Sequence, residues 1–370
     1  MQKVSHKRIV TFDLLRGFFI LVIIIDHIQR WPGIFDWFTG QGRLWVSAAE
    51  GFILISGIMI GLIRGYKDRS LPLFTVTKKL WKRAFILYIW AAIGSILAFY
   101  IYTKWQTNYQ PYPPPGLSSF GGDTTWPSVI KQVLGYSGVF GYSGFLGLYA
   151  VFLAVSPLAI WLLRKNKWWL IFIISLAVWT LGFNQKNMIL SWQLLFFSGS
   201  IFGYYYKTLK EWWSTFRYKH IATNTIVALT GVTLIASVLT IFGWSIVESS
   251  WSPITKHEFL QYRESIDPFF LREELRPLHL ILVGFWFSSI LIIFNKYQHK
   301  IYKKLGWLLL PFGHHSLFAY IVQSFVVIFI SGIFPASDNV ILNALIIIFG
   351  VAIVWILTTK VKFLHKIIPS

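Results

Sequence analysis

The sequence predicts an all-α integral membrane protein, with about ten transmembrane helices in a single domain spanning residues 1–370. Three observations predict it: composition, the number of long apolar runs, and the placement of the basic residues. Of the 370 residues, 55% are hydrophobic, 19% aromatic and only 13% charged, and the mean hydropathy is +0.59. A soluble domain of this size has no use for so much apolar surface.

The apolar runs lie near 11–30, 44–63, 82–103, 143–163, 168–184, 189–206, 221–243, 277–295, 312–334 and 339–358. Each is about long enough to cross a ~30 Å hydrocarbon core as a helix. The first reads as a span rather than a cleaved signal peptide, because it is long and Asp13 and Arg16 interrupt its start.

The net charge of +20 raises the question of a nucleic-acid partner, and its distribution answers it. With the N-terminus inside, 24 of the 34 Lys and Arg residues fall in inner segments and nine in outer ones, with Arg16 inside the first run. That asymmetry is the positive-inside signature of a multi-pass protein with both termini cytoplasmic. The basic excess is a topology signal, so no nucleic acid is expected. The absence of cysteine excludes disulfides, iron–sulfur clusters and thiolate zinc sites.

Two outer loops are long. Residues 104–142 contain Pro111, Pro113, Pro114 and Pro115, which favour extended backbone. This loop runs into a tandem repeat, Gly135–Gly141 followed by Gly141–Gly147, read as connector or as a close approach to a partner surface. The loop 244–276 mixes Glu248, His257, Glu258, Arg263, Glu264, Asp267, Arg272, Glu273, Glu274 and Arg276, a solvated surface or the lip of an acceptor site. Trp31, Trp37, Trp45, Trp105, Trp126 and Trp251 gather at the outer face, as an interfacial belt or as sugar-stacking rings.

The first run carries the chemistry. Arg16 and His27 are eleven positions apart, about three helical turns, so they share one helix face roughly 16 Å apart. A charge that deep costs on the order of 3 kcal/mol, so it needs partners and usually a task. A neutral imidazole is suited to taking a proton from a hydroxyl, which makes His27 the candidate general base, with a structural hydrogen bond as the plainer reading. Glu50 in the second run lies at a similar depth and is expected to orient that imidazole, with a buried Glu–Arg or Glu–His tie as the plainer reading. Ser47, Glu50, Gly57 and Gly61 share a face whose small residues favour close helix packing.

Arg16, with Asp13 one turn before it to hold it, is the candidate cation for a phosphate-bearing or thioester-carrier group, because a guanidinium donates several hydrogen bonds in a plane. Adjacent His314 and His315 point about 100° apart on a helix and make a weak metal site, so no metal is assigned.

Arg8, Asp13, Arg16-Gly17 and His27, followed by Ala49-Glu50-Gly51-Phe52 and Ile55-Ser56-Gly57, resemble the start of the OpgC family, which belongs with the membrane acyltransferase 3 enzymes. Trp192-Gln193-Leu194-Leu195-Phe196 with Gly199, Leu275-Arg276-Pro277-Leu278, and Gly313 with Ser316-Leu317 are similar to later parts of that family. The chain departs from it at His279 and Leu282, where the family has arginine and histidine, and at Leu146-Gly147-Leu148-Tyr149, where it has Leu-Pro-Leu-Tyr.

The resemblance implies an acyltransferase 3-like bundle in a bacterial cytoplasmic membrane. It also implies transfer of an acyl group, succinyl or acetyl, from acyl-CoA to hydroxyls of an extracytoplasmic glucan without a metal. On this reading Arg8, Asp13 and Arg16 stand on the donor side, and His27 and Glu50 at the reaction. The rival expectation is a glycan or lipid-linked sugar flippase, which shares the helices and buried charges but usually shows repeated halves that this chain lacks. A third is a non-catalytic membrane scaffold.

Overall fold

A computed structural model describes residues 9–104, 125–135, 141–248, 252–272, 274–361 and 363–368, and all regular structure among them is helical. The longer helices are α1 (Val10–Ile28), α2 (Ala48–Ser70), α3 (Leu73–Lys104), α4 (Trp126–Leu134), α5 (Gly144–Arg164), α6 (Trp168–Gln185) and α7 (Met188–Tyr204). They continue with α8 (Tyr206–Thr215), α9 (Lys219–Val247), α10 (Lys256–Ile266), α11 (Pro277–Lys296), α12 (Gln298–His314), α13 (Ser316–Ile333) and α14 (Val340–Lys360). Arg8, Trp105, the run from Pro111 to Pro115, Trp251 and Glu273 lie outside the described residues.

Eight of these helices are long and apolar enough to cross a membrane: α2, α3, α5, α6, α9, α11, α13 and α14. The other two expected spans are α1, whose 19 residues include Asp13, Arg16 and Asp26, and α7, which has 17 residues. Burial sorts the bundle into interior and rim. The apolar window of α13 is 78% buried and that of α6 only 17%. Residues such as Ile173 and Ile174 on α6, and Val232 and Ile235 on α9, therefore present apolar side chains outward, as helices facing hydrocarbon do.

Glycine sets the closest packing. On α2, a Cβ on Gly57 would stand 2.0 Å from the Phe196 carbonyl oxygen, and one on Gly61 would stand 1.9 Å from that of Ser200. From the other side, Gly199 and Gly203 of α7 face the carbonyls of Leu54 and Ile58 at 2.4 and 2.0 Å. Two glycine pairs at four-residue spacing thus press α2 and α7 together backbone to backbone, the association expected where lipid offers no hydrophobic drive.

The segment 296–311 is a helix rather than an inner loop. α12 runs from Gln298 to His314, and the expected ninth span begins only at Ser316. The reason is again a pair of glycines. A Cβ on Gly17 would lie 1.9 Å from the Leu309 oxygen, and one on Gly313 would lie 1.8 Å from the Asp13 oxygen. α12 therefore lies flush against the first half of α1. Thr11 extends the seam with its hydroxyl 3.0 Å from Asn295 Oδ1 and 2.9 Å from Gln298 Oε1.

Candidate functional site

His27 stands one residue before the end of α1, partly exposed, and its ring is fixed from two directions. Its Nδ1 lies 3.0 Å from Oε1 of Gln323 on α13. That oxygen only accepts, so the imidazole donates from Nδ1 and keeps the Nε2 lone pair. The orientation of the amide is held in turn, because Gln323 Nε2 donates to Ser324 Oγ at 3.3 Å. The ring of Tyr142 stacks on the imidazole with centroids 4.0 Å apart and planes at 25°. The Tyr142 hydroxyl donates to the His27 carbonyl (2.9 Å), and the Tyr320 hydroxyl donates to the Tyr142 carbonyl (2.9 Å). The second copy of the glycine repeat, which holds Tyr142, is thus part of the wall around His27.

Glu50 does not orient His27. It is completely buried, and its Oε2 accepts from the Ser47 backbone N–H (3.0 Å) and hydroxyl (2.5 Å), a capping box at the start of α2. Its Oε1 lies 3.2 Å from Nε2 of His279, which is also fully buried, while Nδ1 of that ring lies 3.2 Å from the Phe270 carbonyl oxygen. Both ring nitrogens of His279 face oxygen acceptors. Equal depth in the bundle therefore does not make Glu50 and His27 partners: the carboxylate faces α11 and the imidazole faces α13. The Asp13 carboxylate reaches His314 Nε2 at 3.5 Å.

Arg16 donates to the hydroxyl of Ser316 at the start of α13. The same helix therefore meets both ends of the shared α1 face, through Ser316 at Arg16 and through Gln323 at His27. Ile20 and Ile24 lie between them on that face, each with no exposed surface. These two isoleucines border no open space.

Beyond His27 the chain is tied down firmly. Arg30 donates to the carbonyls of Phe334 (2.5 Å), Pro335 (2.6 Å) and Ile330 (3.3 Å), which satisfies the open C-terminus of α13. Asp36 in the loop after α1 is buried, and burial pushes its carboxyl up to about 6, while Gln41 Nε2 donates to its Oδ1 at 2.8 Å. The outer tryptophans engage protein rings. Trp45 stacks on Phe270 at 4.0 Å, and Trp31 and Trp37 lie 5.7 and 5.1 Å from Phe242.

Reasoning from sequence missed Gln323, Tyr142 and the partner of Glu50. Gln323 carried a signal, as a polar residue in the apolar run Ser316–Ile333 where an unpaired amide is costly. Tyr142 carried none, because one hydroxyl in an aromatic-rich loop looks like any other.

The model of the family described as OpgC protein matches residues 8–365. No curated protein and no solved structure matches the chain.

Proposed function

Because the chain belongs to the OpgC protein family, we propose that it is a membrane O-acyltransferase moving an acyl group, succinyl or acetyl, from cytosolic acyl-CoA to hydroxyls of an extracytoplasmic glycan. In this reading α1 and α7 cross with the eight apolar helices, giving ten spans in a bacterial cytoplasmic membrane with both termini cytoplasmic. The observation that carries the chemistry is the bond from His27 Nδ1 to Gln323 Oε1, which leaves Nε2 as the base.

The acceptor hydroxyl oxygen attacks the thioester carbonyl carbon while Nε2 of His27 takes its proton. The tetrahedral adduct then collapses with cleavage of the carbon–sulfur bond. The imidazolium returns its proton to the departing thiolate, so the products are a glycan ester and free coenzyme A. Tyr142 stacked on the ring and Gln323 beneath it hold the base without any rearrangement during the step. Arg16 serves the donor from the inner side, and Arg8 and Asp13 belong with it.

Mass spectrometry of envelope glycans tests the reading. Cells carrying the wild-type chain show an acyl mass increment that cells carrying His27→Ala lack, at equal protein in the membrane. The same increment in both strains removes His27 from the chemistry.

A further inference from the structure

A charged group is held at the His27 end by the loop 244–276, whose mixed charge reads from sequence as solvated surface or the lip of an acceptor site. Between α10 and α11, the backbone near Arg272 is pinned at its carbonyls. Trp192 of α7 donates its indole N–H to the Arg272 oxygen (3.1 Å), and Trp179 of α6 donates to that of Leu275 (3.0 Å). His279 meets the carbonyl of Phe270, and Leu275 is fully buried with φ +49°, a conformation an ordinary side chain adopts only when its surroundings impose it. Three helices therefore fix the stretch that carries Arg272.

The guanidinium is anchored on one side. Arg272 Nη1 donates to the Gly42 carbonyl at 2.8 Å and lies 3.4 Å from the Ser47 hydroxyl. A point one Cβ out from Gly42 is 3.7 Å from Asp26 Oδ2 and 3.8 Å from that Nη1, which puts the cation beside the carboxylate next to His27 in sequence. Arg272 is also within electrostatic reach of His27 and Glu50. Asp26 faces Thr39 and Gly42 as well, and Glu50 is held by Ser47 and His279, so both carboxylates have partners besides the arginine. Nε and Nη2 of Arg272 make no hydrogen bond among the described residues, and the side chain is exposed. One edge is held and the other is exposed.

We propose that Arg272 is a further catalytic residue, whose open edge donates to the carbonyl oxygen of the acyl group while the acceptor attacks beside His27. This rests on the acyl-transfer reading. As the acceptor oxygen bonds to the carbonyl carbon, the carbonyl π pair moves onto the oxygen. Arg272 stabilises that charge until the carbon–sulfur bond breaks and the pair returns. A fixed cation at the developing oxyanion is a large source of acceleration because it needs no reorganisation. The planar fork keeps donors for the substrate while Nη1 stays on Gly42.

The test uses the purified full chain with acetyl-CoA or succinyl-CoA and a glucan oligosaccharide. Arg272→Gln is expected to lower kcat about 100-fold with donor KM within about twofold, and Arg272→Lys, which keeps the charge but loses the fork, about tenfold. An unchanged kcat for Arg272→Gln, or a loss confined to KM, overturns the role. Should Arg272→Gln fail to accumulate, Arg272→Lys decides alone: a lowered kcat supports the role and an unchanged one overturns it. A wild-type chain that transfers nothing contradicts the underlying acyl-transfer reading, whereas an active wild type beside an equally active Arg272→Gln contradicts only this inference.

Discussion

At the C-terminal end of α1, the outer end in the proposed topology, His27 meets a neutral amide and a tyrosine ring, with Arg272 presented nearby by a pinned loop. At the inner end, Arg16 meets the Ser316 hydroxyl, and Asp13 meets His314 where α12 closes flush on the helix. The outer end fixes a ring and its tautomer. The inner end offers a cation with a short hydroxyl beside it. On the acyl-transfer proposal, the difference is what a reaction at one end and recognition at the other require, since bond making depends on fixed geometry and anion binding depends mainly on charge and donors.

Breaking the outer end should cost most. Gln323→Leu removes the acceptor that selects the tautomer, and transfer is expected to fall about 100-fold in kcat, within the ~10²–10⁴ range of general-base catalysis. Donor KM stays near wild type, and steady-state kinetics on the reconstituted protein checks the split. A rise in KM alone would place Gln323 in binding rather than in chemistry.

The largest effect on stability belongs to the buried pair behind that end. Glu50→Ala leaves His279 buried opposite no carboxylate, a change that typically costs about 3–5 kcal/mol. The thermal unfolding midpoint in detergent should drop well below that of wild type, while His27→Ala should leave it nearly unchanged. A midpoint unchanged by Glu50→Ala would contradict a stabilising tie between Glu50 and His279.

At the inner end, Arg16→Ala should raise donor KM about tenfold with little change in kcat, the pattern of a lost ground-state contact. Titration with acyl-CoA at saturating acceptor measures it. An equal fall in kcat would move Arg16 into the reacting step and erase the contrast between the two ends.

The smallest effect belongs to Asp36 in the outer loop. Burial raises its carboxyl from 3.8 to about 6, so the folded protein binds the extra proton more readily than the unfolded chain. Stability from this group is therefore fully present below about pH 4 and lost as pH rises through about 6. Asp36→Asn should flatten the slope of unfolding midpoint against pH between those values. A slope identical to wild type would assign the pH dependence elsewhere.

How much of this could be read from sequence depends on the physics of each element. Apolar runs and basic flanks declare spans directly, and each of the ten expected runs contains a helix. α12 escaped because Lys300, Lys303, Lys304 and Pro311 dilute its apolar pattern, and its packing depends on single glycines meeting another helix. The face shared by Gly57 and Gly61 was legible, since small residues four apart have one common use in lipid. The partner of Glu50 was not. Depth along a helix follows from counting residues, but direction around the bundle depends on which helices are neighbours, and Glu50 faces α11 while His27 faces α13.

One measurement bears on the central claim most directly. Vesicles are loaded with acyl-CoA on the side of Arg16, and a glucan oligosaccharide is supplied on the side of His27. Wild-type protein is predicted to place acyl esters on the external glucan, and His27→Gln is predicted to place none above background. Ester formation by His27→Gln at the wild-type rate, or by wild type only when donor and glucan share one compartment, would contradict the account.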